Sequence, residues 1–286
     1  MSDKDENVCS NCGAPFHESN RLCPGCNSDL GFPNVRAAQK PQEVEALRQR
    51  CADAEVSTRE RKCESVLLQF NEAVKKSKAV INRDIGIVKA LVSNDNALYN
   101  SFYHSVDEQA RLPEDNPFDR SRPSIDSTLF PFYHKEMRFA ALSLDGHGIQ
   151  KYGALTMILR EDIIKQRATV FEENSMDFCK RQKIVTGSSI PSGYRAVWNK
   201  RHELAIAKLH SLINPTTTPD EFTKILLKSG EGTTNAEFIE VHIYGSFTRR
   251  GIEKIVGNAP KRKEDKVLMK SIRTKLKEFG ATTDVD

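Results

Sequence analysis

Two Cys-x-x-Cys pairs, Cys9-Ser-Asn-Cys12 and Cys23-Pro-Gly-Cys26, stand close together near the start of the chain. Each pair lets two thiolates converge on one cation while the backbone between them turns back. Together they supply the four soft ligands that a tetrahedral structural Zn²⁺ takes. Gly13 after the first pair and Pro24-Gly25 inside the second suit tight turns. Around them lies almost no apolar material (Leu22, Leu30 and two phenylalanines being the larger side chains), too little for a core without a cross-link or a metal. A site closed by four thiolates has no open position, so this zinc would organise a surface and not react. Two disulfides would need an oxidising compartment, and the opening Met-Ser-Asp-Lys-Asp-Glu has no apolar stretch behind it; a redox pair or an iron–sulfur centre are the remaining rivals. His17 is read as a loop residue, and Cys51, Cys63 and Cys179 as free thiols in a reducing cytoplasm.

A second chemistry is suggested by Ala236-Glu-Phe-Ile-Glu240-Val-His-Ile-Tyr-Gly245. A carboxylate inside an apolar strand costs desolvation unless it faces a cleft or a partner. Glu237 and Glu240 differ by three positions, so one strand would point them to opposite faces. Glu240, flanked by Ile239 and Val241, is the chosen residue, with His242 on its face. On the residues alone, an edge-strand glutamate facing solvent stays open. The sequence contains no Walker loop, Rossmann glycine run, His-Glu-x-x-His or Gly-x-Ser-x-Gly elbow, and no carboxylate/histidine spacing of a metal nuclease in the main domain.

These groups must be positioned by a chain of 286 residues with a net charge of +4, enough for a small metal-stapled unit and one domain with a core. No apolar run reaches membrane-spanning length. From Pro41 to Asp84 the spacing of Val44, Leu47, Cys51 and Ala54, then Val66-Leu67, Phe70, Val74 and Val80-Ile81, predicts a long helix or helical hairpin. Such a stalk would hold the ribbon away from the rest or mediate self-association. Pro113, Pro117, Pro123 and Pro131 mark a boundary. Beyond it, strands are expected at 138–144, 152–160, 167–171 and 237–245, and helices at 161–166, 193–213 and from Pro219 to Gly230, with helical segments to Phe279. The basic tail from Arg249 to Lys277 reads as a solvated helix face before a phosphate-binding patch. The fold class is therefore α+β: a zinc ribbon over 1–33, a helical stalk and Pro-rich boundary over 34–130, and a mixed α/β domain over 131–286.

Glu240-Val-His-Ile-Tyr-Gly resembles the strand that carries the catalytic glutamate of ADP-ribosyltransferases. Tyr152-Gly-Ala-Leu-Thr-Met-Ile-Leu, Arg167-Ala-Thr-Val-Phe with Asn174-Ser175, and Gly193-Tyr-Arg-Ala-Val-Trp198 are similar to pieces of bacterial domains of that family, over about residues 132–258. Phe238 stands where the family has Gln or Glu, and a clear Ser-Thr-Ser strand motif is replaced by Ser143, Thr169 and Ser175. The resemblance implies an ADP-ribosyltransferase-like domain that consumes NAD⁺. Glu240 would stabilise the oxocarbenium-like state, while Arg138, Ser143, Tyr152, Thr169, Ser175, Tyr194 and Arg195 would hold the dinucleotide. It further implies a cytoplasmic bacterial toxin or phage-defence effector acting on a nucleic acid or protein, with an inhibitory partner as one further expectation. The alternative is a non-enzymatic zinc-ribbon adaptor or nucleic-acid binder.

Overall fold

A computed structural model describes residues 7–101, 103–104, 117–185, 187–230 and 236–285, with side chains from Arg122 onward in the helix that begins at Pro117. Pro113 of the expected boundary lies outside the described residues. The chain is a mixed α/β structure with one large sheet and ten α-helices among the described residues, preceded by the cysteine-rich unit.

The N-terminal unit is two short hairpins, closed by bridges between Val8 and Pro15 and between Leu22 and Asp29. In each, the amide after the second cysteine bonds back to the first: Gly13 N donates to Cys9 O and Asn27 N to Cys23 O. Gly13 (φ +71°) and Asn27 (φ +58°) take the left-handed conformation there, which Gly and Asn tolerate best. The unit is not held at a distance. Helix α1 (Pro33–Ala38) follows at once, and its Arg36 guanidinium donates to the carbonyls of Glu18, Asn20, Leu30 and Gly31.

Helix α2 (Pro41–Glu60) and helix α3 (Glu64–Lys75) form the expected hairpin, broken at Lys62 (φ +57°), where Cys63 N returns to Thr58 O. They are not a free-standing stalk: Leu47, Leu67, Phe70 and Val74 belong to the main core. The helical spacing also fails after Lys76. Residues Lys78–Arg83 form strand β1, because the run Ala79-Val80-Ile81 is buried on both faces between two neighbouring strands. Helix α4 (Ile85–Val92) follows.

The other strands are β2 (Met137–Ser143), β3 (Leu155–Leu159), β4 (Ala168–Phe171), β5 (Arg195–Val197), β6 (Leu227–Lys228), β7 (Glu237–Phe238), β8 (Glu240–Tyr244), β9 (Ile252–Gly257) and β10 (Thr282–Val285). Eight of them make one sheet in the order β10-β9-β3-β1-β2-β8-β4-β5, antiparallel throughout except for the β9–β10 pair. β6 and β7 pair separately, so Glu237 and Glu240 stand on different strands. Two long expectations are corrected. The segment 193–213 starts as edge strand β5, entered through Gly193 at φ +86°, and is α-helical only over Arg201–Leu209, with a 3₁₀ turn at each end. β9 occupies residues expected to be helical, its Ile252 and Ile255 facing the core.

One sheet face carries Ile81, Ala140, Leu142, Val170, Val241 and Ile243 against α2, α3 and the helices Arg201–Leu209 and Lys263–Lys277. The other carries two smaller apolar clusters, one around Phe130, Met137, Phe171 and Phe178, the other around Val80, Ala141, Ile158 and Phe238. Glu240 lies on this second face.

Candidate functional sites

The four cysteines converge. Their sulfurs lie within 4.8 Å of one another, with Cys9–Cys26 at 3.7 Å and Cys12–Cys23 at 3.6 Å. Four thiolates about 2.3 Å from a tetrahedral zinc stand about 3.8 Å apart, so the cluster has the size such an ion requires. The surroundings fit thiolates. Ser28 Oγ reaches Cys26 Sγ at 3.1 Å and Cys9 Sγ at 3.3 Å, Asn11 Nδ2 donates to Cys26 at 3.4 Å, and Gly25 N to Cys23 at 3.3 Å. The Ser28 hydroxyl, followed by the Asn11 amide, holds the Cys26 thiol down at about 5. A Cβ at Gly25 would come 2.8 Å from Ala14 Cβ, so the second knuckle closes only with glycine there. The cluster can hold a metal ion and is compatible with structural zinc. His17 takes no part, its Nδ1 bonding Ser19 Oγ at 2.7 Å.

On the sheet, the alternation of β8 sends Val241 and Ile243 into the main core and Glu240, His242 and Tyr244 to the other face. Glu240 is not solvent-facing: it is 4 % exposed. Its Oε2 accepts from Ser175 N at 3.0 Å and from His242 Nε2 at 2.9 Å, and its Oε1 lies 3.4 Å from Asn174 Nδ2. Since an ionised carboxylate only accepts, His242 carries its proton on Nε2 in this pair. Three aromatic rings enclose the imidazole, with Phe130 at 4.8 Å, Phe139 at 5.4 Å and Phe171 at 5.5 Å between centroids. Phe139 and Thr169 are its cross-strand neighbours; Ala141 and Phe171 are those of Glu240. Asn174 caps the helix Ser175–Arg181, its Oδ1 accepting from Met176 N and Asp177 N, and this cap aims Ser175 N at Glu240.

A second buried carboxylate lies within range of the Glu240 charge. Asp126, 2 % exposed on the helix Pro117–Leu129, accepts from Tyr103 Oη at 2.9 Å and lies 3.7 Å from Arg122. Burial pushes its carboxyl up to about 7, the charge on Glu240 adding to this and Arg122 opposing it. Burial and the Glu240 charge likewise raise Tyr152, whose ring is partly exposed. Asn174 belonged to a segment that the resemblance quoted, without a role; Asp126 and the aromatic enclosure had no signal in the sequence beyond residue type.

Of the expected NAD⁺ ligands, only Ser175 is hydrogen-bonded to Glu240 among the described residues; Tyr152 is close enough for the Glu240 charge to act on it. Arg138 does not. It pairs with Ile243 in register, points to the opposite face, and is 1 % exposed, bound to Tyr99 O, Glu136 O, Ser246 Oγ and His104 Nδ1. Thr169 shares the face of His242, but its hydroxyl lies 3.4 Å from Asn34 Nδ2. Ser143 is engaged in a turn, bonding Asp145 and His147 O. Tyr194 packs edge-to-face against Phe178 beneath the Arg50 guanidinium. Arg195 is paired with Glu43 at 2.8 Å. Elsewhere in the domain, His147 is exposed, His134 packs on Tyr103, and Trp198 is buried with Nε1 donating to Glu161 at 2.8 Å.

No described helix is long and apolar enough to cross a membrane. Compared with known proteins, the chain matches no family model and no curated protein.

Proposed function

We propose that the chain is an NAD⁺-dependent ADP-ribosyltransferase whose cysteine-rich unit is a structural zinc site and whose catalytic carboxylate is Glu240. The observation that supports this reading is the enclosure of Glu240 on the strand Glu240-Val-His-Ile-Tyr244, with the imidazole of His242 and the amide of Ser175 fixing its oxygens. In this reading the nicotinamide–ribose bond breaks with its electron pair leaving on nicotinamide. Positive charge develops on the ribose, and the Glu240 carboxylate offsets it in a site shielded from water. The acceptor, a nucleic acid or protein nucleophile, then bonds to the anomeric carbon and gives up a proton. Asp126, with a pKa near neutrality, is suited to take it. Tyr152, partly exposed and within range of the Glu240 charge, would offer its ring for the nicotinamide to stack on. Arg138, Ser143 and Thr169 are left out of the dinucleotide site because each is engaged elsewhere.

The reading is tested by nicotinamide release from NAD⁺ with total cellular nucleic acid and protein as acceptors, wild type beside Glu240→Gln. Release that disappears in a folded Glu240→Gln sample supports it. Absence of release from folded, zinc-loaded wild type with every acceptor sinks it.

A second reading, an adaptor or nucleic-acid binder without turnover, is favoured by one observation. The hydrogen bonds of Glu240 described above all run to groups inside the protein, and the only charged group from β2, Arg138, lies across the sheet. In that case the Glu240–His242 pair fixes the packing of β8 against the helix Ser175–Arg181.

A further inference from the structure

The cysteine-rich unit and the body enclose a cavity of about 260 Å³, away from Glu240. Its walls come from Glu18 of the ribbon, Arg36 and Lys40 on either side of the end of α1, Tyr133, Ser188 and Arg195. Three of these are cations and one is a carboxylate. Tyr244 packs near this wall, its ring 6.2 Å from that of Tyr133. It stands four residues beyond Glu240 on β8, about 13 Å along the strand.

Two groups in this wall have unused donors. Tyr133 lines the cavity with its ring largely buried, and its hydroxyl bonds no other described group. The oxygen is not among the sealed, unpartnered atoms of the chain, so it opens to the cavity, where it is free to bond a ligand or water. Burial raises the Tyr133 pKa, with Arg195 opposing it, so the hydroxyl stays protonated and can donate. Arg195 is the second. Its Nε is held by Glu43, which fixes the guanidinium plane, while its terminal nitrogens have no partner among the described residues. Arg36 adds a positive charge already anchored by four carbonyls, and Lys40 is exposed at the mouth, 3.7 Å from Glu18.

Clustered cations, a fixed guanidinium fork and a tyrosine hydroxyl are the donor set that binds tetrahedral oxyanions. The volume lies below the usual range of about 300–1,000 Å³ for drug-sized ligands, so a whole dinucleotide does not fit. We propose that this pocket between the ribbon and the body binds the phosphate of a small phosphate monoester, a nucleotide or sugar phosphate, through Arg195, Lys40 and the Tyr133 hydroxyl. The ribbon thereby supplies one wall of an anion site. This site is separate from the proposed transferase centre, and its occupancy does not depend on that reading.

The test is calorimetric titration of the full zinc-loaded chain with inorganic phosphate, ribose 5-phosphate and adenosine monophosphate in turn. Saturable one-to-one binding with a Kd below about 1 mM is expected, and the three probes show how much the body beyond the phosphate adds. Lys40→Ala removes an exposed side chain and Tyr133→Phe an unpaired hydroxyl, so both should fold. Each should weaken binding by about tenfold, the effect of one charge-assisted or buried hydrogen bond. Lys270→Ala on the distant basic helix and Glu240→Gln should leave it unchanged. The proposal is overturned by no saturable binding of any probe up to about 10 mM, by binding that Lys40→Ala and Tyr133→Phe leave intact, or by an equal loss in Lys270→Ala.

Discussion

The imidazole Nε2 of His242 lies 2.9 Å from Oε2 of Glu240, two residues earlier on the same strand and the same sheet face. The pair is buried beneath three phenylalanine rings, and Ser175 N and Asn174 complete the contacts of the carboxylate. Removing one partner of such a pair leaves the other buried and uncompensated.

Glu240→Ala should therefore cost about 3–5 kcal/mol, because His242 and Ser175 N lose their acceptor. Glu240→Gln retains an acceptor oxygen and the side-chain shape, and should cost about 1–2 kcal/mol. Urea denaturation followed by circular dichroism compares the two; equal losses would show that the carboxylate oxygens are not the structural contacts described.

Arg138 should behave as a structural residue. Its guanidinium joins Tyr99 O, Glu136 O and Ser246 on the face opposite Glu240. Arg138→Ala should lower stability by about 3 kcal/mol or more through the carbonyls it leaves unpaired. Any turnover per folded molecule should stay unchanged. A loss of turnover in protein shown to be folded would return Arg138 to the reaction site.

Asp126 sets a pH dependence. Its carboxyl in the folded chain titrates at about 7, above the ordinary aspartate value of 3.8, because burial and the Glu240 charge outweigh Arg122. Tyr103 donates to it from the segment packed alongside. Between about pH 4 and pH 7 the folded state thus holds a proton that the unfolded chain has released. Stability should be highest at the acid end of this window, fall by at most about 1.4 kcal/mol per pH unit, and level off above pH 7. Asp126→Asn should flatten that slope and be the more stable form at pH 8. Parallel stability curves for the two proteins would refute the assignment.

Metal removal should act locally. Zinc content should be one ion per chain and fall sharply in Cys12→Ser, since three thiolates leave the tetrahedron open. The main core contains none of the four cysteines, so the sheet should keep its unfolding transition. Hydrogen exchange should rise at Cys9, Gly13, Cys23 and Asn27, whose amides close the two knuckles. An unchanged exchange pattern after chelation would mean that the hairpins do not depend on a metal.

The parts legible in the sequence were those set by neighbours along the chain. Two Cys-x-x-Cys turns converge because each closes over a few residues, and Gly13 and Asn27 supply the backbone conformation that closure needs. The alternation of Glu240-Val-His-Ile-Tyr244 fixed which residues share a face, so His242 beside Glu240 followed from period two. What only tertiary structure decided was which face met which partner. Lys78–Arg83 has helical spacing before it and an apolar run of its own, and becomes a strand because β2 and β3 flank it. Arg138 and Glu240 sit on adjacent strands, yet their register, with Ala141 opposite Glu240 and Ile243 opposite Arg138, puts them on opposite sides of the sheet. Asn174 reaches Glu240 and Phe130 reaches His242 across long stretches of chain, and Asp126 comes within range of the Glu240 charge in the same way. Side-chain periodicity is a property of one segment, whereas register and burial belong to the pairing of several, and that pairing is settled only when the whole core closes.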